Sequence, residues 1–338
     1  MLLGVLPLAA IAIRTTRSSA SLPFNRLTIR RMSNTHITTR SSDGGGEETI
    51  VLTPRNESAQ SACIIICHGL GDTADGWIDT AGHMASTLPY IKFILPTASR
   101  RRVTMNMGMV MPAWYDITGL DKRSNEQCDG IDASRARLVK LMEDEMTMTG
   151  LPRSRILLAG FSQGGALSLY TGMQLSPSST GAAGDGNINT PLAGIVIMSG
   201  YLPHSSGFTI TPGLEHTPIF HGHGESDPLI KVEYARESCN LVTNNGGKGG
   251  GATNYQLVTY PNLAHSISPK EISDVLVFIQ KVLPPNDNYK IQMKDPMEMS
   301  VKELKNEIAK AGLGRLALGF SEKGEFITLL KNHRNGKL

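Results

Sequence analysis

Residues 155–170 read RILLAGFSQGGALSLY, with Ser162 set between Gly160 and Gly164 at the end of an apolar run. That G-x-S-x-G spacing suits a sharp strand-to-helix turn that lifts a serine hydroxyl above a sheet. Glycines are needed where the turn brings backbone segments close together. A serine hydroxyl is a weak nucleophile near neutral pH, so the chemistry requires a base and an acid that orients the base. With this turn the three follow the chain order serine, carboxylate, histidine.

Of nine histidines, His36, His68 and His83 precede Ser162. His204, His216, His221 and His223 come before the best acid or share its strand end, and His333 lies near the C-terminus. His265, in YPNLAHSISPKEI, follows the last strand-like run and precedes the last long helical one. It is the candidate base. Asp227 in HGHGESDPLI is the candidate acid, with Glu225 as its rival. His221, His223 and Asp227 also suggest a metal site. Catalytic zinc would require three protein ligands and a separate base, and would leave Ser162 unexplained, so no metal is expected. An oxyanion forming on an acyl carbon needs backbone N–H donors, each contributing roughly 3 kcal/mol in the transition state. Gln163, directly after the nucleophile, supplies one, and Leu70 in HGLGDTADGW the other. His68 is expected to shape that loop.

The elements that must position these groups alternate along the chain. TIVLTP, ACIIICHG, YIKFILPTA, RILLAG, LAGIVIMSG, TPIFHGHG and NYQLVTY read as strands, several of them continuously apolar. GIDASRARLVKLMEDEM, GGALSLYTGMQL, KVEYARESCNLV and PKEISDVLVFIQKVL read as helices. Strand–helix alternation with strands buried on both faces gives an open, mostly parallel α/β sheet. Ligands gather beyond the carboxyl ends of such strands, where Ser162 would stand.

With 338 residues, 40% of them hydrophobic, and a net charge of +3, the chain can bury a full core and carries no overall basic excess for nucleic acid. Cys63, Cys67, Cys128 and Cys239 show neither zinc spacing nor a disulfide framework, which points to reduced thiols. Residues 1–42 form an extension whose apolar run, Leu2 to Ile13, is too short to span a bilayer. Arg14, Arg17, Arg26, Arg30, Arg31 and Arg40 face no acid before Asp43, a composition suited to mitochondrial or plastid targeting. An unstructured extension, or a start at Met32, is the plainer reading. SPSSTGAAGDGNINT and TNNGGKGGGATN read as surface insertions. The main domain is expected over 43–286 and a small helix–loop–helix module over 287–338. In that module Ser300 and Glu303 form a capping box, Met299 and Leu304 a hydrophobic staple, and Val301, Leu304 and Ile308 one apolar face.

HGLGDTADGW, MNMGMVMPAWYDI, GFSQGGALSLY, SGYLP, FHGHGESDPLIKVEYARES and AHSISPKEI together resemble the acyl-protein thioesterase and lysophospholipase family of α/β-hydrolases, over roughly residues 49–283. The resemblance implies the α/β-hydrolase fold, a triad of Ser162, Asp227 and His265, and an oxyanion hole at Leu70 and Gln163. It favours Asp227 over Glu225 and implies no cofactor. S-acylated proteins or lysophospholipids are the implied substrates, with peripheral membrane contact and no membrane-spanning segment in the mature domain. Hydrolysis of acyl thioesters and esters, foremost protein depalmitoylation, is the implied activity, and a general carboxylesterase or lysophospholipase with no protein substrates is the runner-up. Met105, Met107 and Met109, with Trp114, are the candidate acyl-chain contacts, since methionine suits a variable apolar ligand. The alternatives are core fillers on a buried strand for the methionines and a structural role for Trp114. Residues 299–338 are similar, faintly, to SAP-like modules and hold eight Lys or Arg against four Glu. Protein or nucleic-acid binding through this module is the reading from another functional class.

Overall fold

The computed structural model of the chain describes residues 35–42, 47–121, 126–176, 190–244, 250–291, 294–311 and 313–334. The proposed targeting segment up to residue 34, including Met32, lies outside these, as do residues 177–189 and 245–249 of the two insertions.

Ten strands and seven α-helices are formed by the described residues. The strands are β1 (His36–Ser42), β2 (Glu48–Pro54), β3 (Ala62–Cys67), β4 (Ile91–Pro96), β5 (Arg100–Val103), β6 (Met109–Pro112), β7 (Ile156–Phe161), β8 (Gly194–Met198), β9 (Ile219–Gly224) and β10 (Tyr255–Tyr260). The helices are α1 (Ile78–Thr87), α2 (Ile131–Thr149), α3 (Gln163–Gly172), α4 (Val232–Thr243), α5 (Pro269–Val282), α6 (Val301–Lys310) and α7 (Lys323–Arg334). Eight strands make one sheet in the order β1-β2-β4-β3-β7-β8-β9-β10, while β5 and β6 pair separately as a hairpin. The first two pairings, β1 with β2 and β2 with β4, are antiparallel, and from β4 to β10 the sheet is parallel. This is the expected α/β-hydrolase architecture.

The apolar runs are continuous because both faces are covered. Along β3, Cys63, Ile65 and Cys67 enter a core shared with α2 and α3, whereas Ile64 and Ile66 enter a second core shared with α1 and α5. No disulfide joins the cysteines, and Cys63, Cys67 and Cys128 are buried. Among the described residues, no helix is long and apolar enough to cross a membrane.

The sheet begins earlier than residue 43. Residues 36–42, assigned above to the extension, form β1 and pair along β2 from His36↔Pro54 to Ser42↔Glu48. The positions it buries, His36 and Thr38, are polar, so no apolar alternation marks the strand. His36 is satisfied by donating from Nε2 to the Ile91 carbonyl at 2.7 Å.

At the other end, Met299, Leu304, Ile308, Phe326, Leu329 and Leu330 form a small core of their own between α6 and α7. The Ser300–Glu303 capping box is present. Val301 departs from the expected apolar face: it is exposed, and only Leu304 and Ile308 turn inward. Lys294 pairs with Glu303, Lys331 with Asp295 and Arg334 with Glu307, so part of the module's positive charge is compensated internally.

Candidate active site

The hydroxyl at the centre of the site is held by a strained residue. Ser162 sits at φ 52°, ψ −120°, a conformation that L-residues adopt at a cost of roughly 1–3 kcal/mol. Its N–H donates to the Met198 carbonyl on β8 at 2.8 Å, and its own carbonyl accepts from Ala166 N–H in the first turn of α3 at 2.9 Å. The flanking glycines are required by close approach. A Cβ on Gly160 would stand 2.3 Å from the Gly164 carbonyl carbon, and one on Gly164 would stand 2.2 Å from the Cys67 carbonyl oxygen. The turn can therefore press against the end of β3 only with hydrogen at both positions.

His265 reaches Ser162 from the loop between β10 and α5. Ser162 Oγ–H donates to His265 Nε2 at 3.0 Å, and His265 Nδ1–H donates to Asp227 Oδ2 at 2.7 Å. A carboxylate can only accept, so Nδ1 carries the proton and Nε2 keeps its lone pair toward the serine. The loop descends because Gly224, the last residue of β9, has no side chain: a Cβ there would meet the Leu263 carbonyl oxygen at 2.2 Å. Helix α5 then starts at Pro269, with Ser268 Oγ accepting Glu271 N–H at 3.1 Å.

Asp227 Oδ1 accepts Leu229 N–H and Ile230 N–H, both at 2.9 Å, a local turn that fixes the carboxylate and leaves Oδ2 for the imidazole. Burial by itself would raise this carboxyl. The hydrogen bond and charge of His265 and the two backbone N–H groups outweigh it and hold Asp227 below the ordinary carboxylate range. Glu225, the rival, bonds Thr259 Oγ1 at 2.7 Å instead. His221 Nδ1 meets Tyr255 Oη at 2.8 Å, and His223 Nε2–H donates to the Ile230 carbonyl at 2.7 Å. Burial lowers both imidazoles, His221 to about 3, which keeps them neutral. Among the described residues, no group of three His, Cys, Asp or Glu is placed to hold a metal ion.

The loop after β3 is braced by His68, as expected, and by Trp114 and Gln163, which the sequence did not single out for this purpose. Ala98 N–H donates to His68 Nε2 at 2.9 Å, which leaves Nδ1–H to donate to the Gly69 carbonyl at 2.7 Å. Trp114 Nε1–H donates to the His68 carbonyl at 2.8 Å. Gln163, buried, accepts Trp114 N–H at 2.9 Å and donates to the Tyr115 carbonyl at 2.7 Å. Its side chain thus ties the residue after the nucleophile to the segment that supports Leu70, itself half-buried against the core. Gln163 N–H belongs to the first turn of α3, where amides have no partner within the helix.

The methionine segment divides. Gly71 N–H donates to the Pro112 carbonyl at 2.9 Å, and Met111 Sδ lies beside Gly71, so the end of β6 packs on the oxyanion loop. Met105 is half-buried, while Met107 and Met109 are exposed at the hairpin tip, 84% and 54% respectively. Trp114 is fully buried and acts as a brace.

One buried acid lies beside the base loop. Glu271 is fully buried against Gly222 of β9, where a Cβ would meet its Oε1 at 2.3 Å, and neither carboxyl oxygen has a hydrogen-bond partner among the described residues. Burial pushes the group up to about 7, with Asp274 adding to the shift. A carboxyl that stays protonated in the fold holds more protons than the unfolded chain between its ordinary value and about 7, so its contribution to stability falls as pH rises through that range. Glu271→Gln is expected to be more stable than wild type at pH 8, by up to about 3 kcal/mol, with the gap closing by about pH 5. Paired denaturant melts at the two pH values measure this; a gap that does not depend on pH refutes it.

The sequence profile of the Phospholipase/Carboxylesterase family matches residues 48–283. Acyl-protein thioesterase 1 of Mycosarcoma maydis is 34% identical over 249 residues, covering 70% of this chain and 98% of that protein. Acyl-protein thioesterase 1 homolog 1 of Dictyostelium discoideum is 33% identical over 228 residues, covering 67% and 93%. The crystal structure of Zea mays acyl-protein thioesterase 2 superposes with a TM-score of 0.55 at 26% identity, covering 70% of this chain and 98% of that one. The matched span holds Ser162, Asp227 and His265 together with every strand from β2 to β10, and the chain belongs to the phospholipase/carboxylesterase family of α/β-hydrolases.

Proposed function

We propose that the chain is a serine hydrolase of acyl thioesters and esters, with S-palmitoylated protein as its main substrate class. The observation that carries this is the continuous chain of hydrogen bonds from Ser162 Oγ through His265 to Asp227, with neither bond longer than 3.0 Å. The thioesterase names of relatives at 34% and 33% identity support the thioester as the bond attacked. His265 Nε2 takes the Ser162 proton as Oγ adds to the acyl carbonyl carbon. The N–H groups of Gln163 and Leu70 receive the developing oxyanion. The tetrahedral intermediate collapses, the imidazolium gives its proton to the departing thiolate or alkoxide, and an acyl-serine remains. Water, deprotonated by the same nitrogen, attacks that ester and releases the fatty acid. Asp227 fixes the imidazole tautomer and stabilises the imidazolium in both halves.

Turnover of an S-palmitoylated peptide should exceed that of lysophosphatidylcholine when both are presented at equal concentration in the same detergent. Both activities should vanish together on treatment with a fluorophosphonate. Faster turnover of the lysophospholipid would reassign the substrate to the oxygen esters of lipids, and activity surviving the inhibitor would remove the serine mechanism.

A further inference from the structure

Phe161 occupies the variable position before the nucleophile in G-x-S-x-G. Its ring centroid lies 4.9 Å from that of His265, with the planes inclined by 46°. On another side the Trp77 ring stands 6.4 Å away, and Trp77 is itself buried. The third neighbour is the oxyanion loop: a Cβ on Gly69 would fall 3.1 Å from Phe161 Cδ1, so the absence of a side chain there lets the loop close onto the ring. Cys67 and Gly160 are paired across β3 and β7, which brings the ends of these two strands, and hence Gly69 and Phe161, to one level of the sheet.

The imidazole between Asp227 and Ser162 is held at both nitrogens, but neither bond prevents rotation about the line that joins them. A ring packed against the imidazole does. The reaction proposed above also makes His265 cationic twice per turnover. Asp227 compensates the charge at one nitrogen. A cation within about 6 Å of an aromatic centroid gains about 0.5–2 kcal/mol from the ring quadrupole, toward the upper end when water is excluded. An aliphatic side chain of similar volume would fill the space without that gain.

We propose that Phe161 is a positioning residue for catalysis, an aromatic platform wedged between the oxyanion loop and His265 that fixes the imidazole plane and stabilises its protonated form. The inference rests on the triad reading. Full-length Phe161→Leu and Phe161→Met are expected to lose about tenfold in kcat on a p-nitrophenyl ester and about tenfold in the rate of fluorophosphonate labelling, with KM within about twofold of wild type. Phe161→Tyr is expected to stay within about twofold on all three. The labelling rate at saturating probe and kcat report the chemical step rather than how tightly the acyl chain is held, so a role in holding the chain alone would move KM and leave both unchanged. Thermal melts identify folded variants; methionine is flexible enough to fill the site should leucine fail to fold. Wild-type kcat in a folded Leu or Met variant overturns the proposal, as does a folded Tyr variant as slow as Leu. Mass spectrometry of the labelled wild-type protein separates the two levels. A label away from Ser162 overturns the triad reading, whereas a label on Ser162 with unimpaired Leu and Met variants overturns only the role of Phe161.

Discussion

Ser162→Ala should leave a folded protein whose ester and thioester turnover falls by on the order of 10⁵-fold or more, with fluorophosphonate labelling abolished. The fold should survive because the strain at this residue is held by backbone bonds that alanine keeps: N–H to Met198 and carbonyl from Ala166. The only side-chain bond lost is that to His265 Nε2, which stays anchored at Nδ1 by Asp227. Alanine tolerates the positive φ about as poorly as serine, so no new conformational cost enters. Removing the nucleophile leaves only binding and the oxyanion donors, and these accelerate hydrolysis far less than the complete set. Ser199 shares the unusual φ of 52° but is fully buried and cannot take over the reaction. Intact-mass analysis after labelling measures the loss of the adduct, and a near-ultraviolet dichroism spectrum of the same sample measures the retained fold. Covalent adduct on the folded alanine variant would place the nucleophile elsewhere.

The parts of this site that could be read from sequence are those whose signal is local. The elbow declares itself because two glycines and a serine must coexist in five residues, and the steric reason is visible at Gly160 and Gly164. Parallel strands such as β3 and β8 declare themselves because burial on both faces makes them apolar throughout. His265 could be found by elimination, since chain order in this fold leaves few histidines after the acid. What stayed hidden depends on contacts between distant segments or on polar residues taking the place of apolar ones. Strand β1 buries a histidine and a threonine, so its pattern looked like the rest of a basic extension. The β5–β6 hairpin carries arginines on one strand and exposed Met109 and Val110 on the other, a composition that names neither core nor strand. Trp114 reads from sequence as either a groove contact or a structural residue; the buried indole, its N–H committed to the His68 carbonyl, supplies a structural role that no local pattern could announce. Glu225 and Asp227 are two residues apart on one loop, and spacing alone does not separate them. The turn that closes Leu229 N–H and Ile230 N–H onto Asp227 Oδ1 does.

Asp227→Asn is expected to lower kcat by on the order of 10⁴-fold, nearly as much as loss of the nucleophile, although it changes one atom. If the carboxamide oxygen keeps the bonds from Leu229 and Ile230 N–H, its NH₂ takes the place of Oδ2 and faces His265 Nδ1. Two donors cannot share that contact, so the imidazole moves its proton to Nε2 and presents an N–H to Ser162 where a lone pair is required. If the amide turns over instead, the NH₂ faces two backbone N–H groups and those bonds are lost. Either outcome removes a base that works. Stability carries an independent signature. The wild-type carboxylate sits below its ordinary range in the fold, so it contributes stability above the unfolded value that is lost as pH falls through the folded one. Asparagine has no such dependence. The difference in melting temperature between wild type and Asp227→Asn should therefore be widest near neutral pH and shrink as the solution is made acid. A variant within tenfold of wild-type kcat, or a melting difference that stays constant from pH 7 to pH 3, would show that the carboxylate on His265 is not Asp227.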